Sequence, residues 1–275
     1  MEQIKLIEEC LKEVYEFLLT MEKGEDIVKE GGVFGDLKND TVIRADEEAN
    51  KVILDVLKKS GISLKVFSEE CELTIGDNPA KLVAIDPLDG SLNFRRNKRL
   101  PYAAAMAIFS SLNPKFIDAE TGGVIDLRNR TLWIAEKGKG CYVNGTECQT
   151  SGKRKIDKES IVIGEFYYPK NREIITKAFG DFKGYLRNPG ASAYEMTLVA
   201  DGAADLYISN QQKNHELGPA YLLIKEAGGT VIDFEGNDIG NRSYDFNKQT
   251  PVIAAATLEL AEDALHRIQK AMKRQ

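Results

Sequence analysis

The segment KLVAIDPLDGSLNF, residues 81–94, constrains the fold and chemistry of this 275-residue chain more than any other. Its apolar first half predicts a strand buried in the core. The strand ends in two aspartates three residues apart, Asp86 and Asp89, and Gly90 then allows a sharp turn. Ser91 stands where it can cap a following helix. The chain must therefore hold two carboxylates side by side at the end of a buried strand.

Two carboxylates at such a position repel each other, and burial penalises their charged forms. A hard divalent cation relieves this cost, because Mg²⁺ prefers oxygen ligands. The helix start after Gly90 offers backbone N–H groups that can hold phosphate. Asp-x-x-Asp-Gly also occurs in ordinary turns, so the motif alone leaves a structural role open. Further carboxylates favour a metal site: Glu69 and Glu70 after the preceding strand, and Asp46 and Glu216 each before a helix.

Length and composition exclude several classes of protein. A hydrophobic content of 43% and a charged content of 29% are those of a globular chain with one large domain or two modest ones. The net charge of −6 argues against a general nucleic-acid binder. The Glu-rich N-terminus is not a secretory signal, and no stretch approaches the roughly 18 apolar residues of a membrane span. Four cysteines without a C-x-x-C pair predict reduced thiols in a cytoplasmic protein.

Hydrophobic periodicity predicts two halves of different character. Residues 1–150 combine two amphipathic helices with hairpin strands, an α+β pattern, and residues 24–40 form an exposed connection. Residues 151–275 alternate strands and helices, an α/β pattern. We expect the two halves to pack as one body with a cleft between them.

Residues 86–94, DPLDGSLNF, resemble the signature D-P-[IL]-D-G-[TS]-x-N-F of the inositol monophosphatase superfamily. Further matches follow in the family order over about residues 40–233: TVIRADEEA, VFSEE, KGKGCYVNG, GASAYEMTLVADGAADLYIS and AYLLIKEAGGTVID. The Ser-x-Asn-Phe ending is closer to archaeal-type fructose-1,6-bisphosphatase/inositol monophosphatases than to 3′-phosphoadenosine phosphatases. The resemblance implies a layered αβαβα sandwich with a metal site in the cleft between the halves.

The resemblance also implies two or three Mg²⁺ ions and a role for each motif residue. The first ion would bind Glu69, Asp86 and the Leu88 carbonyl, and the second would bind Asp86, Asp89 and Glu216. A weaker third ion would lie near Glu69. The catalytic residues would be Asp46, Ser91 and Glu69, with Asp46 and Ser91 orienting and deprotonating the attacking water. The substrate-binding residues would be Gly90, Ser91, Gly190, Ala191, Ser209 and Glu216.

Two positions depart from the family pattern. His215-Glu216 replaces the usual Trp-Asp, and the extra methylene of Glu could shift or weaken the second ion. Glu216 could instead be only a carboxylate favoured by a helix N-terminus. Ser209 stands where many inositol monophosphatases have a Glu that binds inositol hydroxyls, and the polar run 210–213 could line the pocket instead. The basic run 95–99 could attract an anionic substrate or form a solvated loop.

The function implied by this resemblance is metal-dependent hydrolysis of a small sugar or polyol phosphate. Fructose-1,6-bisphosphate and inositol 1-phosphate are the leading substrates, and 3′-phosphoadenosine 5′-phosphate is an alternative. A regulatory or binding homologue with weak catalysis is the alternative from a different class, supported by Glu216 alone. Because relatives commonly form dimers, we expect a homodimer in the cytoplasm, without a nucleic-acid or membrane partner.

Overall fold

The computed structural model describes residues 2–21, 27–30, 41–96 and 98–273. Most of the predicted connection over residues 24–40, including Lys38, lies outside the described residues. Within them the chain forms seven α-helices: α1 Glu2–Thr20, α2 Arg44–Lys59, α3 Ser91–Arg96, α4 Pro169–Phe179, α5 Ser192–Ala200, α6 Asn214–Glu226 and α7 Leu258–Met272.

The strands form two mixed sheets and a separate antiparallel pair, β1 Ile27–Glu30 with β2 Thr41–Ile43. The larger sheet has the order β10-β9-β8-β7-β6-β5-β3-β4. Its members are β3 Leu64–Ser68, β4 Glu72–Ile75, β5 Lys81–Asp89, β6 Ala103–Phe109, β7 Ala119–Asp126, β8 Thr131–Glu136, β9 Cys141–Val143 and β10 Thr146–Cys148. The smaller sheet has the order β12-β11-β13-β15-β14. Its members are β11 Ile161–Gly164, β12 Tyr185–Arg187, β13 Leu206–Lys213, β14 Thr230–Ile232 and β15 Gln249–Ala255.

The two sheets and the helices stack in five layers. Helices α1 and α2 cover the outer face of the larger sheet, and α5 and α6 lie between the sheets. Helices α4 and α7 cover the outer face of the smaller sheet. Three clusters of buried apolar side chains hold the layers together: one beneath α1 and α2, one around α5 and α6 between the two sheets, and one beneath α4 and α7. The predicted αβαβα sandwich is confirmed, and the expected boundary at residue 150 falls in the connection between β10 and β11.

Small residues in the larger sheet bring helices close to both of its faces. A Cβ atom at Gly122 of β7 would lie 3.2 Å from the Pro219 carbonyl oxygen of α6. A Cβ at Gly123 would lie 3.0 Å from Ile7 and Leu11 of α1. Both distances are shorter than ordinary packing contacts, so a larger residue at either position would have to displace the neighbouring groups. The close approach of α6 sets the position of the carboxylate that this helix carries.

Two further expectations concern the cysteines and the membrane. All four cysteines are free thiols, with Cys10 and Cys141 buried. Among the helices that the structure describes, none combines the length and the apolar character needed to cross a bilayer.

Candidate metal centre

Carboxylates from three elements converge where β3 and β5 end. These two strands are parallel with Ser68 opposite Ile85, and the Glu69 N–H donates to the Ile85 carbonyl at 3.2 Å. Glu69 therefore lies beside Asp86. Helix α6 begins three residues earlier than predicted, so Glu216 stands in its first turn. One oxygen from each of Asp86, Asp89 and Glu216 lies within 4.8 Å of the others, and Glu69, Asp86 and His215 form a second such group.

Asp86 is the residue that these two groups share. It is fully buried, and its Oδ1 accepts the Leu88 N–H at 3.1 Å. Its Oδ2 has no hydrogen-bond partner among the described residues. Burial raises the pKa of Asp86 well above its ordinary value, and the charges of Glu69 and Asp89 raise it further. A buried, unpartnered oxygen among carboxylates fits a hard divalent cation, which would satisfy the oxygen and offset the repulsion.

Asp89 connects this centre to the second half of the chain. Its carboxylate accepts the backbone N–H groups of Ser192 at 3.0 Å, Ala193 at 2.8 Å and Tyr194 at 3.3 Å. These are the first three residues of α5, whose N–H groups have no partner within the helix. Burial raises the pKa of Asp89 to about 6, although the three N–H groups lower it. The same carboxylate therefore faces the centre and caps a helix.

Lys213 places an ammonium group among the carboxylates. Its Nζ lies 2.9 Å from Glu69 Oε1, and the two side chains are 17% and 26% exposed. Burial would raise the pKa of Glu69, but Lys213 and then His215 outweigh that effect and lower it to about 2. His215 Nε2 lies 3.8 Å from the same Glu69 oxygen, and its ring packs on Phe246. Sequence reasoning placed Lys213 only in a polar run, because which carboxylate it meets depends on the tertiary fold.

Glu216 is held by a chain of buried side chains. Gln212 Nε2 donates to Glu216 Oε2, and the Tyr207 hydroxyl donates to Gln212 Oε1. Burial raises the pKa of Glu216 well above its ordinary value, and the charge of Asp89 adds to this effect. The longer side chain of Glu216, compared with the family Asp, therefore still reaches the cluster, and Gln212 orients it. Sequence reasoning did not find this role for Gln212.

Ser91 and Asp46 meet as the resemblance implied. The Ser91 hydroxyl lies 2.8 Å from Asp46 Oδ1 and 2.9 Å from the Leu88 carbonyl oxygen, so it can donate to either. Asp46 is buried in the first turn of α2, which begins two residues before it. The pair forms a hydroxyl–carboxylate unit at the start of α3, which can accept a proton from a bound water.

Gly90 and Asn93 join the start of α3 to the second half of the chain. Gly90 has a φ of +81°, and a Cβ atom there would lie 3.0 Å from both Ala191 Cβ and the Pro101 carbonyl oxygen. The Asn93 side-chain amide donates to the Pro101 carbonyl at 2.7 Å and the Pro189 carbonyl at 3.0 Å. Glycine is therefore strongly favoured at position 90, where the loops of the two halves touch.

A cavity of about 560 Å³ opens over this centre between the two halves. Its wall includes the predicted residues Glu69, Asp86, Leu88, Asp89, Gly90, Ser91, Gly190 and Glu216. Arg95 of the predicted basic run also reaches the wall, whereas Lys98 lies over the Phe94 ring, 4.3 Å from its centroid. Two buried acids that sequence reasoning missed, Glu165 and Glu195, line the cavity as well.

Two predicted substrate contacts, Ala191 and Ser209, do not line this cavity. Ser209 is fully buried, and its Oγ accepts the Asn171 side-chain amide at 3.1 Å and the Gln211 N–H at 3.2 Å. A register shift between Ser209 and Gln212 interrupts the pairing of β13 with β15. Such irregularities redirect side chains, and here Gln211, Gln212 and Lys213 reach the cavity wall.

Comparisons with known proteins identify the family of this chain. A family model described as "Inositol monophosphatase family" matches residues 2–273. The chain belongs to the inositol monophosphatase family. Inositol monophosphatase 1 of Xenopus laevis is 30% identical over 236 residues, which cover 81% of this chain and 78% of that protein. The Nus factor SuhB of Escherichia coli (strain K12) is 30% identical over 203 residues, which cover 72% and 73%.

Solved structures share the fold at lower identity. The extragenic suppressor protein suhB from Bartonella henselae has a TM-score of 0.80 at 23% identity, covering 97% of this chain and 98% of that chain. The MJ0109 gene product, an inositol monophosphatase–fructose 1,6-bisphosphatase, has a TM-score of 0.76 at 22% identity, covering 96% and 98%. The resemblance inferred from the motifs is confirmed, and the protein is a phosphatase of a metal-dependent family that acts on small phosphorylated substrates.

Proposed function

We propose that this protein is a Mg²⁺-dependent phosphatase that hydrolyses a small sugar or polyol phosphate monoester, either fructose-1,6-bisphosphate or inositol 1-phosphate. The observation that carries this proposal is the buried Asp86 oxygen without a partner, gathered with Asp89 and Glu216 beside the Ser91–Asp46 pair. An all-carboxylate donor set suits Mg²⁺ better than softer ions. Amide and carboxyl side chains in the cavity wall, among them Gln211 and Glu195, can hydrogen-bond the hydroxyl groups of a substrate.

Different residues around the cavity would bind the metal ions and the phosphate group during hydrolysis. Asp86, Asp89 and Glu216 would hold one ion, and Glu69 with Asp86 would hold another. Ions bound there supply positive charge that stabilises the phosphoryl oxygens and makes a water molecule a stronger nucleophile. The backbone N–H groups of Gly90 and Ser91, at the start of α3, would bind phosphate oxygens.

Proton transfer falls to Ser91 and Asp46. Asp46 accepts the Ser91 hydroxyl proton in a hydrogen bond, which leaves the Ser91 oxygen able to accept a proton from the attacking water. Asp46 is buried, so the carboxylate holds the hydroxyl in one orientation. This arrangement supports direct attack by water, and it requires no covalent phosphoenzyme.

The test is phosphate release from a substrate panel with Mg²⁺ and with a chelator. We expect release from fructose-1,6-bisphosphate or inositol 1-phosphate that depends on Mg²⁺, and loss of release in Asp86→Asn. The control is Asp77→Asn, an exposed carboxylate on the turn after β4, which should leave release unchanged. Absence of release from every substrate at any Mg²⁺ concentration would refute the proposal and favour the regulatory alternative.

We further propose that the protein acts as a homodimer in the cytoplasm and needs no nucleic-acid partner. The support is its family resemblance, its free cysteines and its acidic balance of −6. A monomeric mass by light scattering would refute the dimer. Because one relative is named a Nus factor, an RNA mobility-shift assay at physiological salt is the matching test for the absence of a nucleic-acid partner.

A further inference from the structure

Glu195 lines the cavity, and one of its two carboxyl oxygens has no hydrogen-bond partner among the described residues. It lies in the first turn of α5, and only 1% of its surface is exposed. Its Oε1 accepts the N–H groups of Gly190 at 2.5 Å and Ala191 at 3.4 Å. Its Oε2 is buried and has no hydrogen-bond partner among the described residues. Buried polar atoms without a partner are rare in folded proteins, so this one calls for an explanation.

Neighbouring polar side chains of the cavity wall already form hydrogen bonds with other protein groups. Glu165 accepts the Tyr167 N–H with one oxygen and the Asn171 side-chain amide with the other. Gln212 bridges Tyr207 and Glu216. Among the described acids of this wall, Asp86 and Glu195 each keep a buried oxygen without a hydrogen-bond partner, and Asp86 belongs to the metal centre.

Glu195 lines the same cavity as the carboxylates of the metal centre. The N–H of the preceding residue, Tyr194, bonds the Asp89 carboxylate at 3.3 Å, and the loop that Glu195 holds begins at Gly190 in the same cavity wall. A phosphate bound beside Asp89 would thus bring the carbon skeleton attached to it toward Glu195.

The protonation state of Glu195 suits a hydroxyl partner. Burial raises the pKa of this carboxyl well above its ordinary value, the Gly190 N–H lowers it by a smaller amount, and the charge of Asp89 raises it again. Since Oε1 accepts two N–H groups, a proton on this carboxyl group would lie on Oε2. A neutral carboxylic acid can donate to an alcohol oxygen and can also accept its proton, whereas an ammonium ligand would favour a carboxylate.

We propose that Glu195 Oε2 hydrogen-bonds a hydroxyl group of the substrate skeleton and so selects sugar or polyol phosphates over phosphate esters that lack alcohol groups. The assignment rests on the proposed phosphatase function and names a specificity residue for it. An enzyme site that pairs a buried polar group with a substrate hydroxyl rejects analogues without that hydroxyl, because the group is left unpaired.

The test compares two substrates in two variants. Glu195→Met removes both hydrogen-bonding oxygens at similar length, and Glu195→Gln keeps an acceptor for the Gly190 loop and a donor for the cavity. The first substrate is the sugar or polyol phosphate from the panel that the wild type hydrolyses, called the responsive substrate. For Glu195→Met, we expect kcat/KM for this substrate to fall at least about tenfold, mainly through KM. For 4-nitrophenyl phosphate, which has no alcohol group, we expect a change under about twofold. Glu195→Gln should stay within about threefold of the wild type on both substrates.

A structural role alone would give a different pattern. If Glu195→Met lowered kcat/KM for both substrates equally, the residue would only hold the Gly190 loop, and the assignment would be overturned. Glu165→Gln is the matched control, since this buried acid has both oxygens engaged and should affect the two substrates alike. If the wild type hydrolysed neither substrate, the proposed function would fail instead.

A measurement on the wild type keeps the proposal testable if Glu195→Met does not fold. Analogues of the responsive substrate, each lacking one hydroxyl group, probe the same bond from the ligand side. We expect one deoxy analogue to lose about tenfold in kcat/KM. If every analogue stayed within about twofold of the parent substrate, the proposal would be wrong.

Discussion

Replacement of Lys213 by methionine would remove the ammonium group that faces the carboxylate cluster. At an effective dielectric constant of about 20, two unit charges 2.9 Å apart attract by about 6 kcal/mol, most of which desolvation offsets. Breaking a buried ion pair costs about 3–5 kcal/mol. Because both side chains here keep some exposure, we expect a loss of about 2 kcal/mol in the free energy of unfolding of the metal-free protein.

This loss converts into a measurable shift of the melting temperature. A chain of this length unfolds with an entropy of roughly 0.6 kcal/mol per kelvin, so the Tm of the chelator-treated Lys213→Met variant should fall by about 3–4 °C. The affinity for Mg²⁺ should change in the opposite direction. An ammonium group competes with a cation for Glu69 and repels it, so the variant should bind Mg²⁺ about tenfold more tightly.

Calorimetric titration with Mg²⁺ and thermal melts with and without Mg²⁺ measure both effects. Lys65→Met is the matched control, since Lys65 pairs with Glu72 at 2.5 Å on the same sheet and away from the cluster. It should leave the Mg²⁺ affinity unchanged. A Lys213→Met variant with the wild-type Tm and the wild-type Mg²⁺ affinity would refute the reasoning that this lysine is the counter-ion of the centre.

Three other substitutions or conditions test the site. Asp46→Asn should lower kcat by about 10²–10³-fold in steady-state phosphate release, because the amide cannot take up a proton, with little change in Tm. Gly90→Ala should lower the free energy of unfolding by about 1–3 kcal/mol in urea titrations, because its φ is +81° and its Cβ would lie 3.0 Å from two atoms. Burial raises the pKa of Asp89 to about 6, so this group contributes stability below about pH 4 that is lost as the pH rises through 6. The Tm gain from added Mg²⁺ should therefore grow between pH 5 and 7, and a constant gain would contradict this linkage.

Elements with strong local signals could be predicted from the sequence. The apolar run before Asp86 forms the predicted buried strand, and α1 and α2 are the two amphipathic helices predicted for the first half of the chain. The cluster of Glu69, Asp86, Asp89 and Glu216 could also be predicted, because its members end or begin regular elements that the topology brings together.

Features that depend on long-range packing could not be predicted. Strand β13 continues to Lys213 through an irregular pairing with β15, although local sequence gave no reason to extend it past Ser209. That extension buries Ser209 and turns Gln212 and Lys213 toward the carboxylates. Glu195 looked like an ordinary residue of a helix, and only the loop at Gly190 shows what it holds.

The cap that Asp89 provides for α5 complicates the use of this residue as a simple knockout. Asp89→Ala would remove a candidate cation ligand and would also free three N–H groups at the helix start, so its loss of activity would mix two causes. Asp89→Asn keeps one acceptor oxygen, so it separates the loss of the cation ligand from the loss of the helix cap only in part. Natural selection at position 89 therefore acts on folding and on catalysis together. A homologue that has lost catalytic activity would still be more stable with an acidic or amide side chain at this position. An aspartate at position 89 in a distant homologue is, for that reason, weak evidence that the homologue is an active enzyme.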